Sequence, residues 1–175
     1  MYDGCVINGF PLLQFDRPIS RDFVLGFALA WSADLTLVHT LDTAHYLLNG
    51  FTIFRNSDVK RWRTIPKDDF FARAARLHRL RPEVPSGVTV ASMRDALASV
   101  GKAFPLLTIH REQTRRAVCY VGRFKTANQR SVTLTPISPE AEWEEEERYP
   151  LRDITLVEFD GAYEKLLHRM AKPTQ

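Results

Sequence analysis

The sequence predicts a mainly β protein with a few helices, an α+β fold, in which one small barrel-like unit occurs twice. Three observations support this prediction: short apolar segments alternate with polar turns, a glycine interrupts one apolar segment in each half, and both halves repeat one order of segments. Short strands bounded by turn residues at regular spacing are typical of barrels and sandwiches. At 175 residues the chain is long enough for two small domains.

The first half contains candidate strands followed by a helix. Apolar composition and alternation predict strands over 22–31, 35–39, 45–48, 51–54 and 59–62. The dipeptide Asn49-Gly50 is typical of a tight two-residue turn between two of them. Pro66 is expected to open a helix, because Asp68 and Asp69 then lie in the first turn, near the positive end of the helix dipole.

The second half begins after a linker over 81–87, which holds two prolines and a glycine. Ser92 and Gly101 are expected to cap the two ends of a short helix over 93–100. Strands are predicted over 105–110, 117–124, 131–137 and 154–159. Asp160 is expected to cap a last helix over 161–170, with these side chains facing inward: Tyr163, Leu166, Leu167 and Met170.

These elements divide the chain into a first barrel with its helix over 1–81, a linker with a short helix over 82–104, and a second barrel with its helix over 105–175. Gly26 and Gly122 each precede a polar turn and an apolar strand. Asp58 follows Gly26 by 32 residues, and Asp153 follows Gly122 by 31. A glycine accepts the sharp bend or bulge that closing a small barrel requires, so both halves suit an SH3-like or Sm-like barrel.

Two segments, 48–59 and 151–163, resemble a bacterial family of uncharacterised proteins. The likeness rests on Arg55 and Asp58-Val59 in the first half and on Trp143, Ile154-Thr155, Phe159 and Tyr163 in the second. The halves of that family look Sm-like, and the resemblance implies no particular activity. The repeat, the Asn49-Gly50 signal and this resemblance together mark six residues as structural: Gly26, Gly50, Asp58, Gly122, Trp143 and Asp153.

The likeness to true Sm proteins is looser. Gly26 and Asp34, with the apolar strand that follows, resemble the first Sm motif, but Thr36 or a neighbour stands where an RNA-contacting asparagine is expected. Phe54-Arg55-Asn56 is the nearest match to the second motif, whose glycine dipeptide is absent. The resemblance therefore implies an Sm-like fold more strongly than RNA binding.

The net charge of +3 conceals two regions of opposite sign. Nine basic residues and three aspartates lie over 55–81, whereas six glutamates surround Trp143 over 140–147. The candidate nucleic-acid-binding residues, a phosphate-tracking set with one stacking side chain, are Arg55, Lys60, Arg61, Trp62, Arg63, Arg73, Arg76 and Arg79. The alternative, which we favour, is that these residues form a solvated helix face and ordinary strand margins.

No motif predicts a cofactor or a metal ion. His39, Asp42 and His45 lie close in sequence and could share a metal ion, but a zinc site usually needs three or four ligands and no further His or Cys is near. The simpler interpretation is that they are polar residues on a hairpin. Cys119 and His110 fall on neighbouring predicted strands, and a nucleophile pair there would require an orienting partner and an open cleft. The other cysteine, Cys5, has no nearby thiol, so both are expected to be free.

The N-terminal residues 1–4 lack the pattern of a signal peptide, and the apolar run 23–31 is too short to span a bilayer. We therefore expect a cytoplasmic protein with no membrane partner. The leading functional hypothesis is a non-enzymatic binding or scaffolding protein that presents loops or strand edges to a protein partner. The alternatives are RNA binding through residues 55–81 and an enzyme with a site between the halves.

Overall fold

The computed structural model describes residues 4–19 and 23–172, so Asp22, where the first strand is predicted to begin, lies outside these residues. The described residues form three helices: α1 (Phe70–Leu77), α2 (Met93–Ala103) and α3 (Ala162–Met170). They also form eleven strands: β1 (Val6–Ile7), β2 (Phe10–Asp16), β3 (Val24–Trp31), β4 (Leu35–Leu41), β5 (Leu48–Arg55), β6 (Arg61–Thr64), β7 (Leu107–His110), β8 (Cys119–Ala127), β9 (Ser131–Pro136), β10 (Glu147–Pro150) and β11 (Leu156–Phe159).

All eleven of these strands belong to one antiparallel sheet, which confirms the predicted mainly β, α+β class. The strand order is β1-β2-β3-β4-β5-β11-β7-β8-β9-β10, and β6 pairs with β2 beside β1. The centre of the sheet is the pairing of β5 with β11, where Phe54 lies opposite Leu156 and Phe51 lies opposite Phe159. This pairing joins the first half of the chain to the second through backbone hydrogen bonds.

Two groups of five strands can be recognised in the sheet. One runs β6-β2-β3-β4-β5 and the other runs β11-β7-β8-β9-β10. In each group the strand that comes last in the chain, β6 or β11, pairs with the strand that comes first, β2 or β7. Within the described residues no pairing joins β5 to β6 or β10 to β11, and the sheet is not closed. The two closed barrels predicted from the sequence are therefore not confirmed.

Successive side chains of a strand point to opposite faces of the sheet. Apolar residues occur at both sets of positions, so each face carries an apolar surface. On one face, residues such as Leu12, Phe27 and Ile53 meet the buried sides of α1 and α2 in the main core. The opposite face carries two smaller clusters. One consists of Leu13, Phe15, Ala28, Val38, Phe54 and Leu156, and in the other the α3 residue Leu167 packs on Leu106, Val121, Ile137 and Ala141.

Several predicted turns and strands are wrong. Asn49-Gly50 does not form a turn but lies inside β5, and the chain reverses over 42–47 instead. No strand is predicted for β1, β2 or β10, which are short or contain a proline. A proline cannot donate a ladder hydrogen bond, so the alternation of Phe10-Pro11-Leu12 and Arg148-Tyr149-Pro150 gives a weak strand signal.

The helices agree with their predicted positions better than their ends do. Ser92 caps α2 as expected, but Gly101 lies within the helix, where its missing side chain leaves room for Phe124. The N-cap of α3 is Gly161 rather than Asp160. Of the four α3 side chains expected to face inward only Leu167 is buried, and Tyr163, Leu166 and Met170 are about half exposed. No helix in the described residues has the length and apolar character needed to cross a membrane.

The glycines of β3 and β8 occupy matching positions. A Cβ on Gly26 would lie 2.5 Å from the His39 carbonyl oxygen, and one on Gly122 would lie 2.7 Å from that of Thr135. The strand register shifts two residues later in both, at Ala28 and at Phe124. Both glycines thus allow a close approach of the neighbouring backbone beside a bulge.

We expect Gly26→Val and Gly122→Val each to lower the free energy of unfolding by about 1–3 kcal/mol, because the new side chain must displace backbone atoms. Urea titration followed by circular dichroism measures the loss. The matched control is Gly87→Val, at a site with open space around it and positive φ, where backbone strain acts without a clash. Unchanged stability of the Gly26 or Gly122 variant would contradict the expectation.

Candidate binding groove

An open groove of about 620 Å³ lies on the face of the sheet opposite α1 and α2, at the first half of the chain. Its floor is apolar and consists of Pro11, Leu13, Phe15, Ala28, Phe54 and Val59. Two tryptophans, Trp31 and Trp62, stand at its sides with 71% and 59% of their surfaces exposed. The polar lining residues are Thr36, Asn56, Lys60 and Arg61. We call this feature the Trp31–Trp62 groove.

Strand pairing positions the two tryptophans. Trp62 in β6 lies opposite Phe15 in β2, so its ring extends the apolar floor toward the free edge of the sheet. Trp31 ends β3 opposite Thr36 and follows the bulge between Ala28 and Ala30. Exposed apolar surface of this kind on a soluble protein is typical of an interaction site.

The polar side chains of the groove are largely satisfied by the protein itself. Asn56 accepts a hydrogen bond of 2.7 Å from the Thr36 hydroxyl and donates to the Ser32 and Ala33 carbonyls at 3.0 and 3.1 Å. The Arg61 guanidinium donates two bonds to the Asp16 carboxylate. Lys60 forms no ion pair with any residue that the structure describes. The groove therefore offers an apolar floor and one unpaired cation at its rim.

The predicted nucleic-acid-binding residues are divided between several places. Lys60, Arg61 and Trp62 line the groove, whereas Arg55 donates to the Leu151 and Ile154 carbonyls, both at 2.8 Å, and Arg63 donates to Gln14. Arg73 and Arg76 are exposed on α1, and Arg76 donates to the Lys67 carbonyl. Arg79 lies beyond the end of α1, so the three-residue arginine spacing does not continue along the helix. Ala72 and Ala75 of α1 belong to the main core, which lies on the face away from the groove.

Asp58 and Asp153 each lie close to arginine side chains. Arg111 forms an ion pair of 3.2 Å with Asp153, whereas Asp58 is bonded by Gln113 at 3.4 Å and keeps one buried oxygen without a partner. Burial raises the pKa of Asp58, and the charges of Arg17 and Arg55 partly offset this effect. Neither carboxylate lines the groove.

Trp143 anchors the glutamate-rich segment. Its ring packs beside the cluster under α3, the Arg123 guanidinium lies 4.3 Å from the ring centroid, and the indole N–H donates to the Lys172 carbonyl at 3.0 Å. Its backbone bridges to Ile137. The side chains of residues 144–147 are exposed beyond it.

His39 does not lie with Asp42 and His45 in a ligand set. Its ring is buried and stacks on Phe51 at 4.3 Å, whereas His45 is exposed and bonded to Asp42 at 2.8 Å. No group of three His, Cys, Asp or Glu side chains suited to a metal ion occurs in the described residues. The hairpin carries one core histidine and one surface histidine.

Burial lowers the pKa of His39 to about 4, from an ordinary value of 6.5, so acid should weaken the fold through this side chain. Below pH 6.5 the His39 side chain is protonated in the unfolded chain but remains neutral in the folded protein. The destabilisation therefore grows as the pH falls from 6.5 to 4. Between pH 7 and pH 4.5 we expect His39 to lower the free energy of unfolding by an amount on the order of 2–3 kcal/mol, and His39→Gln should abolish this decrease. Urea titrations at pH 7 and 4.5 measure it, and His45→Gln is the matched control. An unchanged pH dependence in His39→Gln would contradict this assignment.

Cys119 and His110 lie directly opposite each other on β8 and β7. His110 has an orienting partner, because its Nε2 lies 2.7 Å from the Glu158 carboxylate. Burial and the Glu158 charge raise the pKa of Cys119, which favours the protonated thiol. No hydrogen bond between Cys119 and His110 is present in the part of the chain that the structure describes, so the geometry of an activated nucleophile is not formed. Cys5 is also free, and it is buried.

Sequence reasoning finds Trp62 but misses Trp31 and the floor of the groove. Trp31 is the last residue of a strand predicted to be buried, and β2, which contributes Leu13 and Phe15, is not predicted at all. The available signal is the position of Trp31 directly before the polar turn over 32–34, where a strand leaves the core.

Comparison with known proteins finds no family model, no curated protein and no solved structure that matches this chain.

Proposed function

We propose that this protein is a non-enzymatic binding or scaffolding protein and that its partner lies in the Trp31–Trp62 groove. The observation that carries this proposal is the pair of exposed tryptophans beside an apolar floor. Aromatic side chains around a concave apolar surface contribute most of the affinity in many interfaces. Because Thr36 and Asn56 already satisfy each other, the groove suits a partner that binds mainly through apolar contacts.

Nucleic-acid binding through residues 55–81 is the second candidate. Phosphate tracking needs several cations that are free to face one strand. Arg55, Arg63 and Arg76 donate instead to acceptors of the protein itself, and Arg61 is paired with Asp16. Lys60 and the two tryptophans are the features that favour a nucleic acid, and they favour an apolar protein segment equally well. We therefore place a protein partner first.

We also propose that the halves of the chain are two Sm-like or SH3-like units, over 1–81 and 105–175, joined by the linker over 82–104. Three features support this proposal: the matching order of the two five-strand groups, the matching close approaches at Gly26 and Gly122, and the bulge that follows each. The resemblance to a bacterial family with Sm-like halves implies the same arrangement. In this view the groove is the open side of the first unit.

Capture from a lysate of the source organism, with and without nuclease, tests the proposed function. Full-length tagged protein is compared with the double variant Trp31→Ser/Trp62→Ser, which changes only exposed side chains. The matched control is Leu77→Ser/Leu166→Ser, which removes exposed apolar side chains from α1 and α3. We expect a nuclease-resistant protein partner that the tryptophan variant loses and the control retains, because a loss of about 2 kcal/mol weakens binding about 30-fold.

Two results would contradict the proposal. A partner held equally by the tryptophan variant would place the binding site elsewhere. Captured material that disappears with nuclease would promote nucleic-acid binding, and replacement of Arg73, Arg76 and Arg79 by glutamate would then test the basic region directly.

A further inference from the structure

In the described residues, the second five-strand group has α2 against one face and α3 against the other, whereas the first group has a helix against only one of its faces. Helix α2 packs on β8 and β9, and its buried side consists of Met93, Ala96, Leu97 and Val100. Gly101 in the same helix lies directly against the Phe124 ring. The buried side of α2 belongs to the main core together with Leu107 and Ile109 of β7, Phe124 of β8, Leu134 of β9 and Val157 of β11.

Strand register shows which residues of the first group occupy the same places. Leu13 pairs with Gly26 as Leu107 pairs with Gly122, so Leu13 corresponds to Leu107 and Phe15 to Ile109. Ala28 and Phe124 each lie two residues after the glycine, at the bulge. Trp62 pairs with Phe15 as Val157 pairs with Ile109.

The corresponding residues, Leu13, Phe15, Ala28 and Trp62, are those that line the Trp31–Trp62 groove. In the second group these positions therefore belong to the core that contains α2, whereas in the first group they line an open groove. The preceding described residues contain only the two-residue strand β1 and the turn at Asn8-Gly9, which pair back on β2 and supply no helix. Within the described residues no α-helix lines the groove.

From this correspondence, and resting on the proposed function, we propose that the groove binds an amphipathic α-helix of a protein partner, with acidic residues on the flank of the helix that faces Lys60. The occupant is a helix because the corresponding residues of the second group share a core with α2, which packs on β8 and β9. An apolar helix stripe in an apolar groove is a common mode of peptide recognition. The acidic flank follows from the unpaired Lys60 at the rim and the neighbouring Arg61.

A helix from a second copy of this chain fits less well, because its charges match those of the rim. The exposed apolar side of α3, with Tyr163, Leu166 and Met170, is flanked by Lys165, His168 and Arg169. On α1, Phe70 and Leu77 are exposed beside Arg73 and Arg76. Like charges facing each other across an interface oppose association, so charge selects a different and acidic partner.

The probe is a synthetic peptide with the sequence of residues 91–104, because these residues form the helix that fits the corresponding surface. Arg94→Glu and Lys102→Glu make the peptide acidic. Gly101→Ala strengthens the helix, and it fits because Ala28 stands in the groove where Phe124 crowds Gly101. Titration of the labelled peptide with full-length protein, followed by fluorescence anisotropy, should give a Kd on the order of 10–100 μM, since a short helix must fold as it binds.

Two matched peptides and one protein variant define the mode of binding. Leu97→Asp in the peptide should weaken binding at least tenfold, because it places a carboxylate on the apolar stripe. A basic version that keeps Arg94 and Lys102 and carries Asp95→Gln should bind about threefold more weakly at low salt. The Trp31→Ser/Trp62→Ser protein should not bind the acidic peptide, whereas Leu77→Ser/Leu166→Ser should bind it normally.

A fusion of the peptide to the protein tests the same binding when the free peptide is too weakly helical to bind in solution. The acidic peptide, joined to the N-terminus by a flexible Gly-Ser linker, is present at millimolar effective concentration and should raise the Tm. The same fusion with Leu97→Asp should leave the Tm unchanged. No binding at 1 mM peptide together with no Tm difference between the two fusions would overturn the helix inference. If lysate capture still depends on Trp31 and Trp62 in that case, the proposed function stands and its partner is not a helix.

Discussion

Replacing Arg17 by methionine should lower the free energy of unfolding by about 3–5 kcal/mol, because it leaves a buried carboxylate without its counter-charge. Arg17 follows β2 in the first half, and Glu112 follows β7 in the second. The Arg17 side chain is only 1% exposed, and its two terminal nitrogens donate to the Glu112 carboxylate at 2.5 and 3.3 Å. Thr155 donates to the same carboxylate at 2.6 Å.

The loss reflects the buried charge that remains more than the attraction that is removed. The attraction between two buried charges offsets their desolvation free energy only when both partners are present. The double variant Arg17→Met/Glu112→Leu should therefore recover most of the stability that the single variant loses. Chemical unfolding of the wild type, both single variants and the double variant completes the cycle.

The matched control is Arg61→Met, which breaks the exposed ion pair with Asp16 near the same strands. Solvent screens an exposed pair and reduces its contribution to stability, so this variant should remain close to the wild type. Equal decreases in the free energy of unfolding for Arg17→Met and Arg61→Met would show that the buried pair contributes no more to stability than the exposed pair. Additive losses in the double variant would show that Arg17 and Glu112 act separately.

Gly50→Ala should destabilise the protein by about 3–4 kcal/mol, from backbone strain and a steric clash together. Gly50 has a φ of +66° inside β5, a conformation that an L side chain rarely adopts. A Cβ there would also lie 2.5 Å from the Gly161 amide nitrogen and 2.5 Å from the Phe159 carbonyl oxygen. The substitution therefore forces β5 away from the end of β11 and the start of α3.

Gly9→Ala separates the two contributions. Gly9 has a φ of +82° but no heavy atom within 4 Å of the added Cβ, so it should show only the strain, about 1–2 kcal/mol. Thermal and urea unfolding of both variants measure the difference, which reports the closeness of β5 to β11 and α3. Equal destabilisation at the two sites would contradict the close approach at Gly50.

Local signals in the sequence predict much of the secondary structure correctly. Ser92 caps α2 through its own side chain, and the alternating residues of 131–136 form β9, because capping and alternation depend on residues near each other in the chain. The mainly β class follows from these short-range patterns. The positions of Gly26 and Gly122 could also be proposed from sequence, since a glycine inside an apolar segment indicates a bend or a close approach.

Asn49-Gly50 shows why the rest could not be predicted. In sequence the pair is typical of a hairpin turn. In the fold the Asn49 side chain accepts a hydrogen bond of 2.8 Å from the Ala162 amide and so caps α3, which lies more than one hundred residues away along the chain. Gly50 gives the backbone of 159–161 room to approach. A contact of this range leaves no trace in the neighbouring residues, so only the tertiary structure assigns both roles.

The sequence alone therefore determined the fold class, most strands, the helix positions and the cation at Lys60, because each depends on short-range composition or spacing. The tertiary structure decided the pairing of β5 with β11, the burial of Arg17 with Glu112, and the exposure of Trp31 and of the outer side of α3. The groove belongs to this second group. It exists because β2, β3, β5 and β6 bring their apolar side chains to one face, which no helix of the described residues covers, and no local pattern specifies which face is left open.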